Sequence, residues 1–268
     1  MKLKKIESFS RYEEIVDHYN QKGCWSNDYI QADAEFLINR GTLFEYCGDS
    51  NVFLFVQKDG FLRVYYYVNN PSETLHLTDG EYVTEVLYRG FQGEPEKQVE
   101  YLQLCGFKRH LTRDLMSARY LDFIDVVQDT GVKIGDAVSL KEVKWAAELF
   151  NSVFDKWSGD FVSPSDYKRL LETNAMLIAK DAQGNLLGAF ESSFEKNVNW
   201  LKHFAITDSA RGYGVGRALL NAVIEKGHIN EKSRYMLWVQ RQNEIAVKMY
   251  EKKGFQYSGK SSLSMIKL

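Results

Sequence analysis

The chain is poor in the residues that mark the more specialised classes of protein. It has only three prolines in 268 residues, too few for proline-rich linkers or polyproline segments. Cysteines also number three, Cys24, Cys47 and Cys105. They form an odd set with no C-x-x-C pair and no Cys/His spacing suited to zinc, so neither a disulfide framework nor a metal site is expected. They read as reduced, structural thiols of a cytoplasmic protein. Long apolar runs are missing. Val52–Val56 is among the longest, far short of the roughly 20 residues of a membrane-spanning helix. The first ten residues, MKLKKIESFS, are basic but lack an apolar stretch, so no signal peptide is expected. Positive charge is not in excess: 34 Lys and Arg face 36 Asp and Glu, a net charge of −2. That argues against an electrostatic nucleic-acid binder, though not against a local basic patch.

What is present is core-forming material. Hydrophobic residues make up 44% of the chain, with 16 Phe, 16 Tyr and 5 Trp, the opposite of a disordered composition. The pattern predicts an α+β, mixed chain of two units in tandem. In the first, helical spacing covers Tyr12–Asn20 and Tyr29–Arg40. Strand-like runs follow at 42–47, 52–57 and 61–69, with turns at 48–51 and 58–60. A further strand is expected at 82–88, then a helix opened by Pro95 and ended by Gly106, then a strand at 107–116. The second unit repeats this rhythm: helices at 140–154 and 164–173, strands at 175–180, 186–194 and 198–206. A glycine-rich loop and a helix ending at Gly227 come next, then a strand at 235–240, a helix at 243–253 and terminal strands. The units are expected to divide at 1–125 and 126–268. Leu102–Phe107 and Met249–Phe255 share a helix–Gly–Phe junction, which supports a duplication.

The segment that carries chemistry is Phe204–Leu220. An apolar strand runs into Arg211-Gly212-Tyr213-Gly214-Val215-Gly216-Arg217 and then a helix. Alternating glycines bare the backbone amides, and the helix start adds its unpaired donors and positive dipole end. Together these suit a pyrophosphate. Two common phosphate loops fail here. The P-loop needs Gly-Lys-Ser/Thr, but the text is Gly216-Arg217-Ala218. The dinucleotide fingerprint needs a glycine where Arg217 stands.

The loop resembles the Gln/Arg-x-x-Gly-x-Gly/Ala signature of the GNAT acetyltransferase superfamily. A second block, from Leu237 through Asn243 and Ala246 to Tyr250, Gly254 and Phe255, resembles that family's V-x-x-x-N-x-x-A-x-x-x-Y-x-x-x-G-F. The resemblance covers roughly Val138–Leu268. It implies acetyl-CoA as acyl donor, its pyrophosphate held by Arg211, Gly212, Tyr213, Gly214, Val215, Gly216 and Arg217. It implies that Phe204, Ala205 and Ile206 line the acyl-pantetheine, the Phe204 amide taking the acetyl carbonyl and the Ile206 amide the pantetheine. It assigns Asn243 and Ala246 to the coenzyme and makes Tyr250 a general acid toward the leaving thiolate. The implied activity is N-acetyl transfer to a primary amine by direct attack. The alternative is a protein that binds and senses acyl-CoA or an amine without turnover.

A general base is less clearly marked. Glu191, Glu195 and His203 are candidates; Trp200 stands where the histone-acetylating branch has its base, so that branch's base is absent. The first unit has no R-x-x-G-x-G. Aligning the two helix–Gly–Phe junctions sets Leu102 against Tyr250 and Pro95 against Asn243. It is read as a degenerate GNAT-like unit, or another α+β domain, without a coenzyme site. Expected partners are a small-molecule amine or a peptide or protein amine. No nucleic acid, membrane or metal partner is expected, and the resemblance makes a homodimer an expected assembly.

Overall fold

The computed structural model describes residues 2–119, 131–158 and 161–268. The chain forms two compact units, Met1–Arg113 with Gly259–Leu268, and Asp114–Ser258. The division expected between 125 and 126 lies outside the described residues. The last ten residues, expected in the second unit, group with the first. No helix among the described residues is long and apolar enough to cross a membrane.

The first unit contains β1 (Lys4–Lys5), α1 (Phe9–Tyr19), β2 (Trp25–Ser26), α2 (Ala34–Asn39), β3 (Leu43–Cys47), β4 (Val52–Lys58) and β5 (Phe61–Val68). It continues with β6 (Tyr82–Arg89), α3 (Glu96–Leu104) and β7 (Lys108–Arg119), the last crossing the division at 113. Helix α1 forms where the pattern predicts. Ser8 caps it by accepting from the Arg11 amide, and it buries Tyr12, Ile15 and Tyr19 along one stripe. The helix expected over Tyr29–Arg40 is shorter and begins only at Ala34. Its first turn is lost because Asp28 spends its carboxylate on the Ile30 amide (3.0 Å) and on the hydroxyls of Tyr12 and Tyr67 (2.7 and 2.8 Å). That side chain offers the backbone an alternative to helix.

The second unit contains β8 (Lys133–Asp136), α4 (Leu140–Val153), α5 (Tyr167–Glu172), β9 (Met176–Lys180), β10 (Leu186–Glu195), β11 (Val198–Ile206), α6 (Val215–Ile229), β12 (Arg234–Gln240) and α7 (Glu244–Lys252). The chain closes with β13 (Gln256–Lys267). Pairing of β13 along β6 from Lys260–Arg89 to Lys267–Tyr82, with Leu263 and Met265 in the core, ties the chain's end to the first unit. Helix α4 has Ser139 as its cap and buries Val143, Ala146, Ala147 and Phe150 at helical spacing. The β9–β10 turn is shaped by Asp181, whose carboxylate accepts from the Gln183 and Asn185 amides (2.9 and 2.8 Å). One face of the sheet packs under α4 and α5, the other under α6 and α7.

The order of elements repeats. Leaving aside β2 in the first unit and α6 in the second, each runs strand, two helices, three antiparallel strands, a strand parallel to the third, then a helix. The first unit carries no helix between β5 and β6, where the second has α6.

Gly227 is not the helix terminator that the sequence suggests. Helix α6 runs on to Ile229, and Asn230 is its C-cap. The glycine is there for space: a Cβ would sit 2.6 Å from Asn199 Nδ2 and 2.7 Å from Tyr235 Cε1. Gly227→Val should therefore destabilise the protein by about 1–3 kcal/mol through overpacking. Denaturant unfolding of the variant would measure it, and an unchanged midpoint would refute the packing account.

Candidate active site

The site is built on one irregularity in one strand. Strand β11 pairs with β12 in parallel from Val198–Arg234 to Leu201–Leu237, and the register goes no further among the described residues. On its other side β11 stays with β10 to Gly188–Ile206. A bulge breaks that ladder: Glu191 faces His203 and Ser192 faces Leu201, so Lys202 is the extra residue. Beyond the bulge the strand parts from β12 and keeps its single partner.

The direction of the amides follows. The Thr207 N–H donates to the Leu187 carbonyl at 2.9 Å. Backbone groups alternate sides along a strand, so the amides of Ala205 and His203 also aim at β10. Those of Phe204 and Ile206 aim the other way, toward the side from which β12 has withdrawn. Their carriers are well fixed. The Phe204 ring stacks on Phe190 at 4.7 Å, and Ala205 turns its side chain under α4.

After Ile206 the chain makes a short 3-10 turn, Asp208–Ala210, and enters the glycine loop. Gly212 and Gly214 have φ of +84° and +79°, a conformation that favours glycine. Gly214 is the N-cap of α6, and no side chain caps this helix or places an acid in its first turn. Its first-turn donors and dipole are thus left for an anion. Gly216 lies over the end of β11, where a Cβ would come within 3.2 Å of Phe204 Cζ. Val215 is buried and anchors the turn, whereas Tyr213 and Arg217 are exposed. Arg211 pairs with Asp208 at 2.9 Å, both in solvent, a contact worth little to stability.

Helix α7 brings the second block alongside. Asn243 caps it by accepting from the Ala246 amide at 3.2 Å. Ala246 and Tyr250 share its inward stripe. Tyr250 is 7% exposed, in the same cluster as Phe204 and Val215, with its ring edge-on to Phe255. Burial pushes the Tyr250 phenol well above the usual range, so it keeps its proton at neutral pH.

Glu191 and His203 stand apart from these, on the α4 face. They are cross-strand neighbours on β10 and β11, with His203 Nδ1 2.6 Å from Glu191 Oε2. The imidazole stacks on Phe150 at 5.3 Å and meets Phe154 edge-on at 5.6 Å. Burial alone would raise the Glu191 carboxyl. The hydrogen bond and charge of His203, backed by Lys202 and Arg169, hold it below the usual range instead. Glu195 is exposed at the tip of the β10–β11 hairpin and has no part in this pair. The aromatic wall of Phe150 and Phe154 was not singled out from sequence. Its signal is the i, i+4 spacing of Phe150 on α4 and Phe154 at its C-cap, the same spacing that any core face shows.

Residues 137–264 match the family model of the acetyltransferase (GNAT) domain. No curated protein matches the chain. Among solved structures, a tandem GNAT protein from the clavulanic acid biosynthesis pathway aligns over 99% of this chain and 97% of its own, with TM-score 0.64 and 12% identity. A GCN5-related N-acetyltransferase from Sphaerobacter thermophilus aligns over 99% and 95%, with TM-score 0.58 and 14% identity. A GNAT-family acetyltransferase from Colwellia psychrerythraea aligns over 99% of both chains, with TM-score 0.57 and 15% identity. At such identities the likeness is one of fold, and the fold is that of tandem GNAT proteins.

The Glu191–His203 pair has a pH signature. A carboxyl held below its unfolded pKa stabilises the fold fully above the unfolded value and stops doing so as pH falls through the folded one. In thermal melts from pH 3 to 7, Glu191→Gln should lie furthest below wild type at the top of the range. The gap should close below the ordinary glutamate pKa of about 4.3. A gap independent of pH would refute the ion pair.

Proposed function

We propose, from the premise that residues 137–264 form a GNAT acetyltransferase domain, that the chain is an N-acetyltransferase moving the acetyl group of acetyl-CoA to a primary amine. The observation that carries this reading is the end of the β11–β12 ladder at Leu201–Leu237, beside an α6 N-terminus with no cap of its own. The residues present fit the coenzyme. Two backbone amides aim into the parted strands, and Gly216 packs closely on the end of β11, where a Cβ would crowd Phe204 Cζ at 3.2 Å.

When bound, acetyl-CoA supplies the activated acyl group as a thioester. The amides of Gly212 to Arg217 hold its pyrophosphate in place, with no reorganisation needed during reaction. The Phe204 N–H takes the acetyl carbonyl oxygen and supports the negative charge that grows there, and the Ile206 amide fixes the pantetheine. Asn243 contacts the coenzyme in addition to capping α7. Tyr250 gives its proton to the sulfur as the C–S bond breaks and the C–N bond forms. In its neutral form, with Nδ1–H donated to the Glu191 carboxylate that orients the ring, His203 receives the proton of the incoming amine. The acceptor is an amine on a small molecule or a peptide.

Calorimetric titration with acetyl-CoA tests the donor. Wild type should bind, and an Arg211→Ala, Gly214→Val double variant should not; failure of wild type to bind would sink the reading. Tyr250→Phe tests the acid. With an amine acceptor found by thiol release, kcat should fall about 10²–10⁴-fold while coenzyme affinity holds. Unchanged turnover would remove Tyr250 from the mechanism, and binding without any turnover across amine acceptors would favour a sensor.

A further inference from the structure

The first unit repeats the strand opening of the second and fills it from within. Strand β5 pairs with β6 in parallel from Leu62–Tyr82 to Val64–Thr84, and there the register stops, as it does at Leu201–Leu237. Setting these last pairs against each other and omitting the bulged Lys202 brings Tyr66 onto Phe204 and Val68 onto Ile206. The Tyr66 N–H therefore holds the position assigned above to the donor of the acetyl carbonyl.

That donor has an acceptor in its own chain. Tyr66 N–H donates to Asn27 Oδ1 at 2.9 Å. The other end of the same carboxamide, Nδ2, donates to the Glu85 carbonyl on β6 at 2.9 Å and to Thr84 Oγ1 at 3.1 Å. One side chain, 2% exposed, thus spans the two strands where they part. The residues just before it continue the filling. Strand β2 lies antiparallel along β5, with Trp25 opposite Val68 and Ser26 opposite Tyr67. The Trp25 ring meets Tyr101 of α3 edge-on at 6.2 Å. The polar groups that parting would expose are met by the protein itself, as burial requires.

We propose that Trp25–Asn27 is a built-in occupant of the first unit's strand opening. Its Asn27 carboxamide oxygen stands where the second unit receives an acyl oxygen, and its β2 backbone stands where pantetheine would run. The correspondence rests on the reading of the second unit given under Proposed function. The first unit then takes up no coenzyme, and the chain binds one acetyl-CoA, through Phe204 and the glycine loop alone.

Amide hydrogen exchange and calorimetry on the full chain test this together. The Tyr66 amide should exchange slowly without ligand and be unmoved by saturating acetyl-CoA. The Phe204 and Ile206 amides should slow only when acetyl-CoA is added, and the titration should give one site, lost in the Arg211→Ala, Gly214→Val variant. A second bound acetyl-CoA, binding retained by that variant, or new protection of Tyr66 by the coenzyme would overturn the proposal. If acetyl-CoA protects no amide, the proposed function fails, and the occupant is judged by Tyr66 alone. Its exchange should then quicken roughly tenfold or more in Asn27→Ala, which removes the acceptor. A Tyr66 rate indifferent to that substitution would overturn the proposal.

Discussion

Everything distinctive in this protein depends on where two parallel strands stop pairing. A strand that leaves its neighbour exposes a row of amides and carbonyls, and such groups are costly if buried without partners. The fold meets that cost in two ways. In the second unit, β11 leaves β12 at Leu201–Leu237 and turns the Phe204 and Ile206 amides toward the space vacated. In the first unit the matching amide of Tyr66 is taken by Asn27. The same backbone irregularity turns its amides toward vacated space in one unit and has them satisfied within the core in the other.

The difference between the copies lies in a few side chains and one helix. The second unit has glycines at 212 and 214, which let the chain turn sharply, and at 216, which packs closely on Phe204 at the end of β11. The first unit has no helix between β5 and β6, so no uncapped N-terminus is offered to an anion there. Its α3 presents Gln98 to the Tyr66 hydroxyl at 2.6 Å, tightening the filled opening further. The polar load of this unit is heavy, with a paired network at its centre. Glu85, 3% exposed, meets Arg63, Arg113, Tyr29 and Ser262, a network that fixes strand neighbours at little net gain in stability.

The sequence announced the turns and helix starts clearly, because glycine, proline and cap residues act locally. Ser139, Asp181 and the glycines of 212–216 do what their types dictate. It was misleading where a distant partner decided. Gly227 has the look of a helix end, yet it serves close packing against Asn199 and Tyr235, a neighbourhood no local window contains. The helical spacing from Tyr29 was real, but Asp28 is claimed by two tyrosines from elsewhere in the fold. Asn27 was invisible for the same reason: nothing near it in sequence says that its partners are residues 66, 84 and 85. His203 and Glu191 were visible as titratable residues on adjacent strands. Their closeness depends on the bulge at Lys202, which sets the register.

The last strand adds a constraint of a different kind. Residues 259–268 count with the first unit, and Leu263 and Met265 lie in its core. During synthesis a ribosome would deliver residues 1–113 long before this strand exists. The N-terminal unit must then wait, with β6 lacking one neighbour, until the whole second unit has been made. An exposed strand edge of that sort is open to wrong pairing, so the finished order of units is the reverse of the order in which they can be completed.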